Sequence, residues 1–195
     1  MHIIRALSAI LLITPAIAAC SPAPSQSPSP TTVVEPRTSM EPKSRGESRL
    51  QNTMMRTHNE TRAKVGAQKL VWNAELAKDA AVYAATLART GKFAHDPQTG
   101  RNPRQGENLW MGTRDAYGYG EMVGAWADED RYFKRGLFPD NSTTGTWGDV
   151  AHYTQMIWPT SQRIGCALAS SDRTDYLVCR YSPAGNIVGR DPLKG

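Results

Sequence analysis

Residues 163–181, RIGCALASSDRTDYLVCRY, decide the fold. Ile164, Cys166 and Leu168 alternate along the first half, and Leu177, Cys179 and Tyr181 alternate along the second. A period of two marks strands with one buried face, and the polar centre at Asp172 and Arg173 supplies the turn. The spacing predicts an antiparallel hairpin that sets Cys166 opposite Cys179. Facing residues in such a pair hold their Cβ atoms roughly 4.5–5.5 Å apart, close to what a disulfide needs.

Upstream the periodicity changes from strand to helix. Leu50, Met54, His58, Thr61 and Val65 follow steps of three and four, which predicts a helix ending at Gly66. His58 then lies on the packed face, where it is read as anchoring this helix through a buried hydrogen bond. A second helix is expected from Asn73, its N-cap, through Leu76, Ala80, Tyr83, Ala84 and Leu87, stopping at Gly91. A short strand is expected at residues 108–111, inside glycine-rich loops. A third helix is expected over residues 121–135, with Met122, Trp126, Glu129 and Phe133 on one face. Of Asp128, Glu129 and Asp130, only Glu129 falls within that apolar stripe, so it must be paired, metal-bound or at a cavity wall. In AHYTQMIW, Ala151 to Trp158, a helical turn is expected, and His152 is either a ligand or catalyst or a core histidine. Helices around a mainly antiparallel strand set define the α+β class.

The 195 residues and 39% apolar content suit one folded domain with appendages. The net charge of +5 is spread along the chain without an aromatic-studded basic stripe, so nucleic acid is not an expected partner. Residues 1–19 read as an export signal: Arg5 precedes the apolar run ALSAILLI and the small-residue tail IAAC. That tail resembles the lipobox of bacterial lipoproteins, which makes Cys20 the first mature residue and the site of lipidation. The alternative is ordinary cleavage near Ala19 with a free thiol left behind. With three cysteines in an exported chain, lipidation of Cys20 leaves Cys166 and Cys179 as the disulfide pair. Residues 20–48 are rich in Pro and Ser and read as a tether, and the folded domain is expected over residues 49–195.

HYTQMIW and YLVCRYSPAGNI resemble the two signature segments of the CAP superfamily, which includes cysteine-rich secretory, antigen-5 and pathogenesis-related-1 proteins. HNETRAKVGAQKLVWNAELAKDAAVYA is similar to that family's opening helices, GENLWMG to its central motif, and AWADED to the end of its third helix. Five segments in the family's order make the resemblance specific. One position departs from it: Ala151 stands where the family usually has Gly, Asp, Glu or Arg. The resemblance implies a three-layer α-β-α sandwich with a large central cavity. It also implies a cleft tetrad of His95, Glu107, Glu129 and His152, able to hold a divalent metal, zinc above all. The same four residues could instead form a metal-free hydrogen-bonded network.

Three functions are compatible with this reading. The first is a lipid-anchored, monomeric binding module of the bacterial envelope, taking a metal and a small apolar or peptide ligand in its cleft. The second is a metal- or Glu-assisted hydrolase of peptides or cell-wall material, though neither a nucleophile motif nor HExxH is present. The third is a rigid scaffold whose loops recognise a partner.

Overall fold

The computed structural model describes residues 44–194, so the export signal, Cys20 and most of the tether lie outside the described residues. In chain order the elements are α1 (Glu47–Lys64), β1 (Val71–Trp72), α2 (Ala74–Thr90), β2 (Gly106–Thr113), α3 (Tyr119–Ala127), α4 (Ala151–Ile157), β3 (Arg163–Ser170) and β4 (Thr174–Ser182). The hairpin forms as its alternation requires. β3 and β4 pair antiparallel with Cys166 facing Cys179, and Ser171 N donates to Thr174 O across a turn at Asp172 and Arg173. The two cysteines form a disulfide, with their Cα atoms 4.1 Å apart.

The class is α+β, but the sheet is mixed rather than simply antiparallel. Its order is β1-β3-β4-β2; β4 runs antiparallel to both long neighbours, while β1 joins β3 in parallel through Val71 and Trp72. Two residues are too few to show any alternation in sequence, and this strand was therefore invisible there. The helices divide between the two faces. On one, Ala80, Ala84 and Leu87 of α2 pack on Leu109, Tyr176 and Val178. On the other, Leu50 and Met54 of α1 and Met122 and Trp126 of α3 pack on Trp110, Leu177 and the disulfide, with α4 alongside. Close packing of α2 depends on Gly165, where any Cβ would land on Ala77 N and Asn73 O.

The helix boundaries follow local chemistry. Asn73 Oδ1 accepts from Leu76 N at 2.9 Å at the start of α2, and Gly91 ends it in the left-handed region at φ 66°. α1 begins at Glu47, two residues before the expected domain start, and buries Leu50, Met54, His58 and Thr61 as the spacing requires. α3 ends earlier than expected. After Ala127 the chain tightens into a 3-10 turn, Asp128–Tyr132, whose Phe133 packs on Tyr153. Three successive acidic residues are poor company at a helix C-terminus, where the dipole favours cations.

His58 is fully buried and works as an internal strut. Its Nδ1 donates to Met54 O at 2.8 Å, which leaves Nε2 to accept from the Tyr181 hydroxyl at 2.8 Å. Desolvation pushes its pKa down from 6.5 to about 4, so it folds as the neutral ring. Between those values the unfolded chain binds the extra proton and the native one does not. The stability that His58 leaves intact above pH 6.5 is therefore lost as pH falls toward 4, by about 3 kcal/mol in all. Urea unfolding of wild type and His58→Gln at pH 7 and pH 4.5 checks this. The glutamine variant should show the smaller drop, and equal drops would remove His58 as the cause.

Candidate functional site

Glu107 and Asn108 are consecutive on β2, so their side chains leave opposite faces of the sheet. β2 pairs only with β4 and is an edge strand. Each of the two residues holds one of the histidines singled out in the sequence. Glu107 Oε1 accepts from His95 Nδ1 at 2.6 Å, while Asn108 Nδ2 donates to the His152 carbonyl at 3.1 Å. The four sequence-derived residues thus form two His–Glu pairs, His95–Glu107 and His152–Glu129, flanking the start of β2.

The His152 pair is built into the fold. Glu129, on the 3-10 turn, accepts from His152 Nδ1 at 2.6 Å and from the backbone N–H of His152 and Tyr153 at 3.0 Å each. Its carboxylate therefore satisfies the first free amides of α4 from a distant part of the chain. Trp126 stacks on the His152 ring, with centroids 5.8 Å apart and planes 18° apart, and so fixes the ring plane. Trp126, Tyr153 and Trp158 are all buried. Glu129 is largely enclosed while its neighbours Asp128 and Asp130 are exposed, in line with its position in the apolar stripe.

The His95 pair is held differently because residues 91–105 contain no helix or strand. Tyr83 donates to Ala94 O, Gln98 and Gln105 exchange two hydrogen bonds, and Asp96 N donates to Glu107 Oε1 at 3.1 Å. Arg180 completes the frame. It is buried, faces Glu107 across the β2–β4 ladder, and reaches Glu107 Oε2 at 3.0 Å and Asp96 Oδ2 at 2.6 Å. Neither Arg180 nor Asp96 was singled out in the sequence. The signal was present, since Arg180 is the one charge within the otherwise apolar stretch from Tyr176 to Tyr181. His95 itself remains 45% exposed, against 7% for His152, so one half of the site is open to solvent and the other is enclosed.

An ionised carboxylate can only accept a hydrogen bond, so both histidines donate from Nδ1 and Nε2 is the ring nitrogen left for a ligand. Metal-ligating histidines are held in this way, with the second ring nitrogen donating to a carboxylate. The carboxylates are spent on this task. Among the described residues no group of three or more His, Cys, Asp or Glu side chains gathers as a metal cage. A cavity of about 700 Å³ lies at the β3 edge, and none of the four residues lines it.

The model of the Cysteine-rich secretory protein family, CAP, matches residues 55–181. Pathogenesis-related protein 1C of Nicotiana tabacum is 33% identical over 143 residues, covering 73% of this chain and 80% of its own. Venom allergen 5 of Vespa magnifica is 37% identical over 151 residues, covering 69% of this chain and 62% of its own. Among solved structures, NaASP2 with Zn2+ superposes with a TM-score of 0.59 at 22% identity, covering 75% of this chain and 85% of that one. The matched region contains the four site residues, the hairpin and the disulfide, and the chain belongs to the cysteine-rich secretory protein, or CAP, family.

Proposed function

We propose that this CAP-domain protein is exported, held at the bacterial envelope by a lipid on Cys20, and uses its two His–Glu pairs to hold a divalent metal. The observation that carries the metal reading is the shared geometry of the pairs: each Nδ1 is tied to a carboxylate at 2.6 Å, leaving each Nε2 with no protein partner among the described residues. His95 and His152 are then the direct ligands, and Glu107 and Glu129 orient them from behind, with water completing the shell. Zinc is the ion to try first, since two imidazoles suit it and a protein of the same fold, NaASP2, was solved with Zn2+. Binding is favoured over hydrolysis because both carboxylates are already committed to N–H donors, so neither stands ready as a general base. A bound zinc ion would supply Lewis acidity at the β2 edge. The chain's own residues aim the imidazoles. Export agrees with a relative named as a venom allergen. No described helix is long and apolar enough to cross a membrane.

Zinc titration by calorimetry tests the site. Wild type should bind one ion, His95→Ala and His152→Ala should abolish binding, and Glu107→Gln or Glu129→Gln should weaken it about 10–100-fold. A folded wild type that takes up no zinc would end the metal reading. Cell fractionation tests the anchor: Cys20→Ser should move the protein into the soluble fraction, and an unchanged membrane fraction would rule the lipid out.

A further inference from the structure

The opposite edge of the sheet is open. β1 pairs only with Arg163 and Ile164, so on its outer side β3 has no neighbouring strand from Gly165 to Ser170 among the described residues. Asn73 N bonds Ile164 O on the outer side, and Ser171 N bonds Thr174 O on the inner side. These two bonds set the phase of the ladder: Gly165, Ala167 and Ala169 turn their amides toward β4, while Cys166, Leu168 and Ser170 turn theirs outward. No hydrogen bond to those outward N–H groups is made among the described residues. Natural edges are normally blunted by Pro, Lys or a bulge, whereas GCALAS contains no Pro or charge and pairs with β4 residue for residue.

This edge is the floor of the 700 Å³ cavity, a trough walled by Leu50 and Gln51 of α1 and by Ala77 and Ala81 of α2, with Trp72 at one end. The small side chains of α2 leave the room. We propose that the trough receives a fifth strand, an uncharged extended peptide of about six residues from a partner protein, bonded to the outward groups of Cys166, Leu168 and Ser170. Six residues of strand span roughly 20 Å, which matches the free edge. Charge selects a neutral occupant: Arg45 is engaged by Asp175 at 2.6 Å, Arg114 lies 3.4 Å from Asp115, and Lys78 and Glu47 bring one charge of each sign to the walls. A second copy of the domain fits poorly, because its own β3 edge is equally sunk between its own α1 and α2. The trough lies across the sheet from the His–Glu pairs, so the proposal stands independently of the metal reading.

Amide hydrogen exchange on the full chain, read residue by residue by NMR, tests it with a blocked hexapeptide of alternating threonine and valine. Saturating peptide should slow exchange at Cys166, Leu168 and Ser170 about tenfold or more while leaving Gly165, Ala167 and Ala169 unchanged. Ala81→Trp, which fills the trough from an exposed helix position, should remove the effect with the ladder to β4 intact. The same peptide N-methylated at alternate residues should not bind. Unchanged exchange at millimolar peptide would overturn the proposal. So would equal binding of the methylated peptide, which would mark an apolar pocket and not a strand site. Protection already present without peptide would overturn it too: if dependent on protein concentration it would reveal a second copy, and if independent, the chain's own residues before Ser44.

Discussion

Arg62→Met should lower unfolding stability by about 3–5 kcal/mol, the sum for several buried carbonyls left without a donor after partial relaxation. Arg62 is fully buried on α1, and its guanidinium donates to four carbonyls: Gln68, Met156, Trp158 and Ser161. Two of these acceptors lie at the C-terminal end of α4, where carbonyls lack helical partners and the dipole is negative. Burial lowers the pKa of Arg62 to about 10, which still leaves it protonated at neutral pH. Methionine fills much of the volume but leaves all four oxygens without a donor, each costing about 1–3 kcal/mol before the backbone relaxes. Arg62→Lys should fall between, because one ammonium cannot reproduce the fork. Urea denaturation measures both. A methionine variant within 1 kcal/mol of wild type would show that water replaces the guanidinium. Since Glu129 holds one end of α4 and Arg62 the other, the loss should also loosen His152.

Removal of the disulfide should cost about 3 kcal/mol, the value for closing a loop of this size. Cys166 and Cys179 are 13 residues apart in sequence and both are buried within the cluster shared by α1, α3 and the sheet. Cys166→Ala with Cys179→Ala keeps both methyl-sized contacts while freeing the unfolded chain. Thermal unfolding of this double variant, compared with wild type with and without reductant, separates the crosslink from packing. Reduced wild type and the double variant should melt together, well below the oxidised protein. Coincident melting of all three would mean that hairpin pairing alone carries the stability.

The sequence made legible those parts where one period runs long enough to be counted. The β3–β4 hairpin, its turn at Asp172 and Arg173, the stripe of α1 and both caps of α2 appear where the residues place them. β1 was missed because two residues hold no period, and α3 was drawn too long because a 3-10 turn keeps nearly the same face as an α-helix for one further turn. Glu129 and His152 stood out within their own segments, but the set of four could be assembled only through the resemblance, since they come from separate segments. What spacing could not give was their division into two pairs across β2, or the role of Arg180, which depends on register between strands distant in sequence.

Gly165 faces Arg180, which in turn faces Glu107, so it lies two strands from the carboxylate that holds His95. α2 rests on it where a side chain would collide with Ala77 N, and the same helix runs 17 residues, about 25 Å, before releasing the chain into the segment that carries His95. A methyl group added at Gly165 would push the start of this helix off the sheet, disturbing the element that leads into the His95 segment. The setting of an imidazole thereby depends on a missing carbon two strands away.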